Sequence, residues 1–385
     1  MPAKRTAAKS KRHAAGVQDS LDLRVADGVL DIDETAEIIP YTYAITAYGA
    51  DYTVDGLMKR MQDENIFIPL FSAPSTAGDR APRFQREYVW KKAQADRFIE
   101  SLLLGLPVPG IFLVKEQDGR HLVLDGHQRL RTLGGFYNDD WEGGAYVLES
   151  VQERFRNRTY VQLEPADRRR LDDSILHATI IRQDEPGEDL SSIYLIFERL
   201  NSGGTNLQPQ EIRVALYHGP FVQFLTSLNS HRSWRTLFGR KSRRLKDIEL
   251  ILRFFALLES SRSYSRPMKS FLSSYMARRR ALRPTIQAEL RILFESTTDA
   301  ILAGVGPKAF KPRRAVNAAL VDAIMVGVAK RIRAKGDLSD PRLLKAPYQA
   351  LLRDEDFSAA TSRATADEES VKTRLELGTN SFADV

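Results

Sequence analysis

The chain reads as an α+β protein in which an N-terminal α/β domain precedes a mainly α-helical, basic domain. Two patterns predict this. Between residues 39 and 228, short β-branched and aromatic runs alternate with amphipathic helical stretches, whereas from 229 to 350 the helical period continues without a strand pattern. Charge separates the same two regions. From Leu228 to Lys335 there are 24 Lys and Arg against 7 Asp and Glu, a balance of +17 in a chain whose net charge is +7, so the remainder is acidic. That asymmetry predicts a surface facing a polyanion, with DNA the expected partner.

The 385 residues suffice for two domains with real cores, and 43% hydrophobic with 28% charged residues is ordinary for a globular protein. No window approaches the ~20 consecutive apolar residues of a membrane span, so no membrane partner is expected. The chain has no cysteine, which excludes disulfides, zinc–thiolate and iron–sulfur sites and thiol nucleophiles. An interior held by packing alone suits a reducing cytoplasm.

Residues 1–38 begin with a basic stretch, turn acidic and show no sustained period; they are expected to be a flexible lead-in. YTYAITAY (Tyr41–Tyr48) is β-rich. From Thr53 a helix is predicted, because Val54, Leu57, Met58 and Met61 fall on one helical face. IFIPL (Ile66–Leu70) reads as a strand. From Lys91 a second helix places Ala95, Ile99, Leu102, Leu103 and Leu106 in a stripe, with Gln94, Asp96, Arg97 and Glu100 facing out, and Gly105 and Pro107 end it. Ile111–Val114 and Leu122–Leu124 form a hairpin around Asp118-Gly119. Asp125 then opens a helix carrying Leu130, Leu133 and Phe136. Tyr146–Tyr160 and Ile175–Ile181 read as strands, Leu190–Leu200 as a helix, and Pro209 starts another in a first-turn position. Residues 351–385, acidic and rich in small residues, are expected to fray.

Three polar clusters interrupt this pattern. In Asp125-Gly126-His127-Gln128-Arg129 a strand passes directly into a helix. The first amides of that helix lack intrahelical partners and carry the positive end of its dipole, which favours an anion, and Arg129 on the first turn strengthens it. Asp125 can hold a metal or a sugar hydroxyl; equally, Asp125 and Gln128 have the spacing of a capping box, and spacing leaves both readings open. Gln85-Arg86 lies between Phe84 and the aromatics Tyr88 and Trp90. Asn201-Ser202-Gly203-Gly204 separates two helices and reads either as ligand donors or as a helix end followed by a cap at Thr205. No GxxxxGK[ST] or HExxH pattern occurs, and no His/Asn cluster of an HNH nuclease is present.

Taken together, FQREYVW, ESLLLGLPVPGIFL, DGHQRLRTL and FERLNSGGTNLQPQEIR resemble the ParB-like DGQQR domain, domain of unknown function 262. That domain is also found in the N-terminal half of GmrSD-type modification-dependent restriction enzymes and in the SspE phage-defence protein. The motifs occur in family order from about Tyr41 to Phe224, roughly half the chain. The resemblance implies a ParB/sulfiredoxin-like α/β fold for residues 39–228 that binds, and often hydrolyses, a nucleoside triphosphate with Mg²⁺ as a possible companion. Matched by position, Gln85 and Arg86 correspond to the family's QR, Asp125, Gly126, Gln128 and Arg129 to its DGQQR, and Asn201, Gly203 and Gly204 to its NxGG. Nucleotide binding is thereby expected at Gln85, Arg86, Gly126, Gln128, Asn201, Gly203 and Gly204, with Asp125, His127 and Arg129 as the catalytic set and Asp125 as the metal ligand. His127 stands where the family has Gln. Sulfiredoxin chemistry is excluded, because it needs a cysteine.

Residues 229–350 supply the expected DNA contacts, with Arg243, Arg244, Arg278, Arg279 and Arg280 as candidates. The function expected is that of an NTP-binding and NTP-hydrolysing protein acting on or near DNA in phage defence or modification-dependent restriction. The alternatives are a nucleotide-switched DNA-binding protein without turnover and an accessory subunit of a nuclease complex. A nuclease or other defence-system partner and self-association are compatible with each.

Overall fold

The computed structural model of the protein describes residues 25–26, 29–30, 45–68, 88, 90–183, 190–200, 207–311, 315–362 and 365–385. Two compact units emerge, residues 41–207 and a second made of 208–385 together with the segment up to Pro40. The division falls at Leu207/Gln208, not near 228 as the sequence pattern suggested. The difference has a physical reason: Arg213 donates to Glu249 at 3.1 Å with both side chains fully buried, and Phe224 packs on Phe255, so 208–228 joins the helices that follow it.

In chain order the first elements are β1 (Val25–Ala26) and β2 (Val29–Leu30), paired antiparallel. The lead-in expected to be flexible thus contains two short strands. The unit of 41–207 follows, with β3 (Ile45–Thr53), α1 (Val54–Gln62), β4 (Ile66–Phe67), α2 (Lys92–Leu103), β5 (Ile111–Lys115), β6 (His121–Asp125), α3 (His127–Tyr137), α4 (Pro165–Asp172), β7 (Ile175–Gln183) and α5 (Ser191–Leu200). Five of its strands form a mixed sheet in the order β3-β7-β5-β6-β4. The β3/β7 and β5/β6 pairs are antiparallel, and β5/β7 and β4/β6 are parallel. Thr53 caps α1 by accepting from the Gly56 amide at 3.3 Å, and Asp118-Gly119 turns the β5–β6 hairpin with Gly119 at φ +87°.

α2 buries Ala95, Ile99, Leu102 and Leu103 as its spacing predicts, but two expectations fail there. Leu106 lies beyond the helix end and is exposed, and Asp96, expected to face out, is completely buried. Its carboxylate accepts from the backbone amides of Glu149 and Ser150 at 3.0 Å each and pairs with Lys92, whose ammonium lies over the Tyr146 ring. This carboxylate explains a further correction. Residues 146–160 contain no strand, because the chain there is fastened to Asp96 and to itself through the Leu148–Arg158 and Asn157–Leu148 hydrogen bonds instead of to a sheet.

The second unit is helical. It comprises α6 (Pro209–Leu216), α7 (Pro220–Leu228), α8 (Arg232–Phe238), α9 (Lys246–Ser260), α10 (Met268–Arg279) and α11 (Pro284–Gly304). After the short β8 (Val316–Asn317), which lies parallel to β2, come α12 (Ala318–Lys335), α13 (Lys345–Leu351), α14 (Glu355–Ser362) and α15 (Glu368–Phe382). Residues 351–385 are therefore not a frayed tail. Phe357, Val371, Leu375 and Phe382 are buried, and α15 crosses α12 at backbone contact: a Cβ on Gly327 would lie 2.4 Å from the Gly378 carbonyl oxygen, and one on Gly378 2.6 Å from that of Ala323. The small residues that read as loop are what allow the two helices to touch. At this crossing Asp322 of α12, fully buried, accepts from Arg253 at 2.7 Å and from Arg374 of α15 at 2.8 Å. No helix among the described residues is long and apolar enough to cross a membrane.

Candidate functional site

The polar cluster sits where β6 becomes α3. The apolar run Leu122–Leu124 is buried in the sheet, and Asp125 is the last strand residue, not the helix cap that its spacing from Gln128 allowed. The capping position is Gly126, at φ +95°, and no side chain caps the helix. The Leu130 amide closes the first turn on the Gly126 carbonyl. Among the described residues no carboxylate or hydroxyl side chain caps the positive end of α3.

Gly126 has a second reason to be glycine. A Cβ there would lie 2.4 Å from Ile111 Cγ2 and 3.3 Å from the Arg129 guanidinium. The space a side chain would need at this position is taken by the protein's own β5. Gly126→Ala is therefore expected to lower the stability of this unit by about 2–4 kcal/mol, from the left-handed backbone together with overpacking against a buried Ile111. Urea denaturation checks this, and a shift below about 1 kcal/mol would contradict the packing described.

Arg129 folds back over the turn. Its Nη2 donates to the Asp125 carboxylate at 2.7 Å and to the Gly110 carbonyl at 2.9 Å, and its buried Nε has no partner. Asp125 remains partly open to solvent. His127 and Gln128 are both buried on the first turn, with Gln128 Nε2 donating to His127 Nε2 at 3.0 Å, an arrangement that needs the imidazole neutral with its proton on Nδ1. His127, expected in the catalytic set, is consequently engaged inside the protein. Among the described residues no group of three or more His, Asp or Glu could hold a metal ion.

The remaining nucleotide candidates Gln85, Arg86, Asn201, Gly203 and Gly204 lie outside the described residues. Their neighbours do not. Tyr88, two residues after Arg86, places its hydroxyl 2.6 Å from Thr132 Oγ1 on α3, and Thr132 donates to the Gln128 carbonyl at 2.8 Å. Because the threonine proton is used on that carbonyl, Tyr88 is the donor of the pair. Burial pushes the phenol up to about 12, which keeps that proton in place. The described end of FQREYVW thereby docks on the helix that carries DGHQR. On the other side, α5, which leads into the Asn201 segment, packs on β6 and β7.

Sequence reasoning missed Tyr88, Thr132 and Arg131. The Arg131 guanidinium is half-buried one turn from Gly126, and burial lowers its pKa. The available signal was Thr132 lying four residues after Gln128 on one helical face.

The DNA candidates divide. Arg243 and Arg278 are exposed. Arg244 pairs with Glu211 at 3.5 Å, Arg279 with Glu259 at 2.6 Å, and Arg280 donates to the His218 carbonyl at 3.0 Å. Those last three are committed to the fold, as are Arg213, Arg253 and Arg374, so the basic balance of this region overstates its outward charge.

Comparison with known families places the description "GmrSD restriction endonuclease, N-terminal domain" on residues 69–218, which covers the Gln85-Arg86, DGHQR and Asn201–Gly204 clusters. No curated protein matches the chain.

Proposed function

We propose, on the premise that residues 69–218 are a GmrSD restriction endonuclease N-terminal domain, that this protein is a restriction-system NTPase whose sheet unit takes a nucleoside triphosphate at the β6–Gly126–α3 turn. The observation that carries the reading is the start of α3, which no described side chain caps, beside a guanidinium held by the Gly110 carbonyl and a partly exposed carboxylate. A partly exposed pair of this kind is worth on the order of 0.2–1 kcal/mol, so a triphosphate can compete with the carboxylate for Arg129.

In this reading Arg129 and Arg86 neutralise phosphate charge, and Gln85, Gln128, Asn201, Gly203 and Gly204 contribute polar and backbone contacts. Asp125, once released by Arg129, would hold Mg²⁺ or orient water. A bound Mg²⁺ would supply charge neutralisation at the phosphates, and a lone carboxylate fits it, since Mg²⁺ keeps several waters and takes phosphate oxygens as further ligands. DNA is the macromolecule on which the system acts, met by the helical unit.

Calorimetric titration of the whole chain with ATP and GTP in the presence of Mg²⁺ tests this, followed by phosphate release under steady state. Binding in the micromolar to sub-millimolar range with slow turnover is expected; no heat at millimolar nucleotide would overturn it. A second reading, nucleotide binding as a switch without turnover, is favoured by His127 being buried against Gln128 and by Asp125 being occupied, which leaves the turn without a disengaged general base. Binding without phosphate release selects it.

A further inference from the structure

The strongest unassigned feature lies in the helical unit, between α8 and α9. The segment Gly239-Arg240-Lys241-Ser242-Arg243-Arg244-Leu245 is short, basic and closely held. Gly239 at φ +111° and Leu245 at φ +59° bracket it in left-handed backbone. Between them Ser242 is buried: its amide donates to Asp247 Oδ2 at 3.1 Å, and its Oγ accepts from the amides of Arg244 at 3.1 Å and Lys246 at 3.0 Å.

The scaffold beneath is an ionic network. Asp247 Oδ2, also buried, accepts from Arg235 Nη1 at 2.7 Å and Asn229 Nδ2 at 2.9 Å. Arg235 Nη2 donates to the Gly239 carbonyl at 3.0 Å, and Trp234 Nε1 donates to Asn229 Oδ1 at 2.9 Å. The acidic groups under this loop, Asp247 and Glu249, are thereby neutralised from within by Arg235, Arg213 and Lys246.

What the loop turns outward is positive. Arg240, Lys241 and Arg243 are exposed on either side of the buried Ser242. Among the described residues neither Arg240 nor Arg243 has an ion-pair or hydrogen-bond partner. A further cation comes from elsewhere in the chain. Lys311 Nζ lies 3.3 Å from where a Gly239 Cβ would be, and Lys308 nearby in sequence is exposed. Burial, with Arg235 adding to it, lowers the Lys311 pKa, and among the described residues no acid pairs with that ammonium. On α11, Glu295 pairs with Arg291 of the same helix, and Asp299 pairs with His231 at the start of α8, the end away from Gly239.

We propose that this loop, through Arg240, Arg243 and Lys311, is a preorganised contact for the phosphate backbone of double-stranded DNA. The assignment rests on the DNA reading above and narrows it, because Arg244, Arg279 and Arg280 drop out. Nothing about base sequence is read here: guanidinium and ammonium groups on a fixed backbone neutralise phosphates, and the ordering entropy of that backbone has been met in folding.

The test is binding of the full chain to a fluorescent 30-base-pair duplex, with the affinity followed from 50 to 300 mM salt. Each phosphate contact contributes a slope of about 0.9 in log K against log salt. The Arg240→Ala/Arg243→Ala/Lys311→Ala variant is expected to bind at least about tenfold more weakly at low salt and to reduce the slope by between two and three. The Arg240→Ala/Arg243→Ala variant, which touches only exposed side chains, is expected to reduce it by about two. Wild-type affinity and slope in both variants would overturn the assignment while leaving DNA binding intact. A wild-type chain that fails to bind the duplex at 50 mM salt would overturn the DNA reading and this inference with it.

Discussion

Replacing Asp322 with alanine is expected to destabilise the helical unit by about 3–5 kcal/mol, the usual consequence of breaking a buried ion pair from one side. Asp322 is fully buried and is the carboxylate shared by Arg253 and Arg374. Without it two guanidinium groups remain in the interior, next to each other and away from water. Arg374 keeps a hydrogen bond to the Thr365 carbonyl, which does nothing for its charge. Burial lowers its pKa, the direction expected of a cation whose surroundings only partly make up for lost hydration. Against a total stability on the order of 5–15 kcal/mol the loss is a large fraction. The measurement is the urea midpoint of the helical unit, with Asp322→Asn expected to fall between wild type and alanine. If Asp322→Ala shifts stability by less than about 1 kcal/mol, the triad is not what fastens α15 to α12. A combined Asp322→Leu/Arg253→Met/Arg374→Met variant is expected to recover most of the loss, since apolar groups of similar volume remove the desolvation problem together with the charges.

If the sheet unit hydrolyses NTP as proposed, Arg129→Ala is expected to lower turnover by about 10²–10³, the range observed when one donor to a developing anion is removed. Its structural effect is smaller. The pair with Asp125 is partly exposed, and the hydrogen bond to Gly110 is of the kind worth about 1 kcal/mol. A thermal midpoint within a few degrees of wild type, together with loss of turnover, separates the chemical role from the structural one. Arg129→Lys is expected to recover only part of the activity, because an ammonium cannot present two parallel donors to a phosphate. Turnover within threefold of wild type in Arg129→Ala would remove Arg129 from the site.

Much of the sheet unit was legible in the sequence. The strand-to-helix passage at Asp125, the Asp118-Gly119 hairpin and the buried face of α2 each follow from local periodicity and turn chemistry. What was not legible depends on partners far away in the chain. Asp96 reads as an exposed helix residue because its ligands are amides at Glu149 and Ser150, more than 50 residues on. The capping role expected of Asp125 passed to Gly126 because β6 runs one residue further than its apolar run, and Arg129 claims the carboxylate. The tail read as frayed for a similar reason. Gly, Ala, Ser and Thr look like loop when counted, yet at a helix crossing such as Gly327 with Gly378 they are what close packing requires. Charge misled most. Arg253 and Arg374 find their carboxylate 69 and 52 residues away, which no local count can show.

The parallel pairing of β2 with β8 bears on how the protein is made. Val29 meets Val316 and Leu30 meets Asn317, so the sheet unit is an insertion within the chain of the helical one. Even its longest-range ladder, β3 with β7 (Ile45 with Gln183, Thr53 with Ile175), closes within a shorter stretch of chain than Val29 with Val316, so it can form while synthesis continues. The strand at Val29–Leu30, emerging first, waits for nearly three hundred residues before its neighbour exists. Slow steps in refolding are therefore expected to belong to the helical unit, even though helical proteins are usually the fast ones.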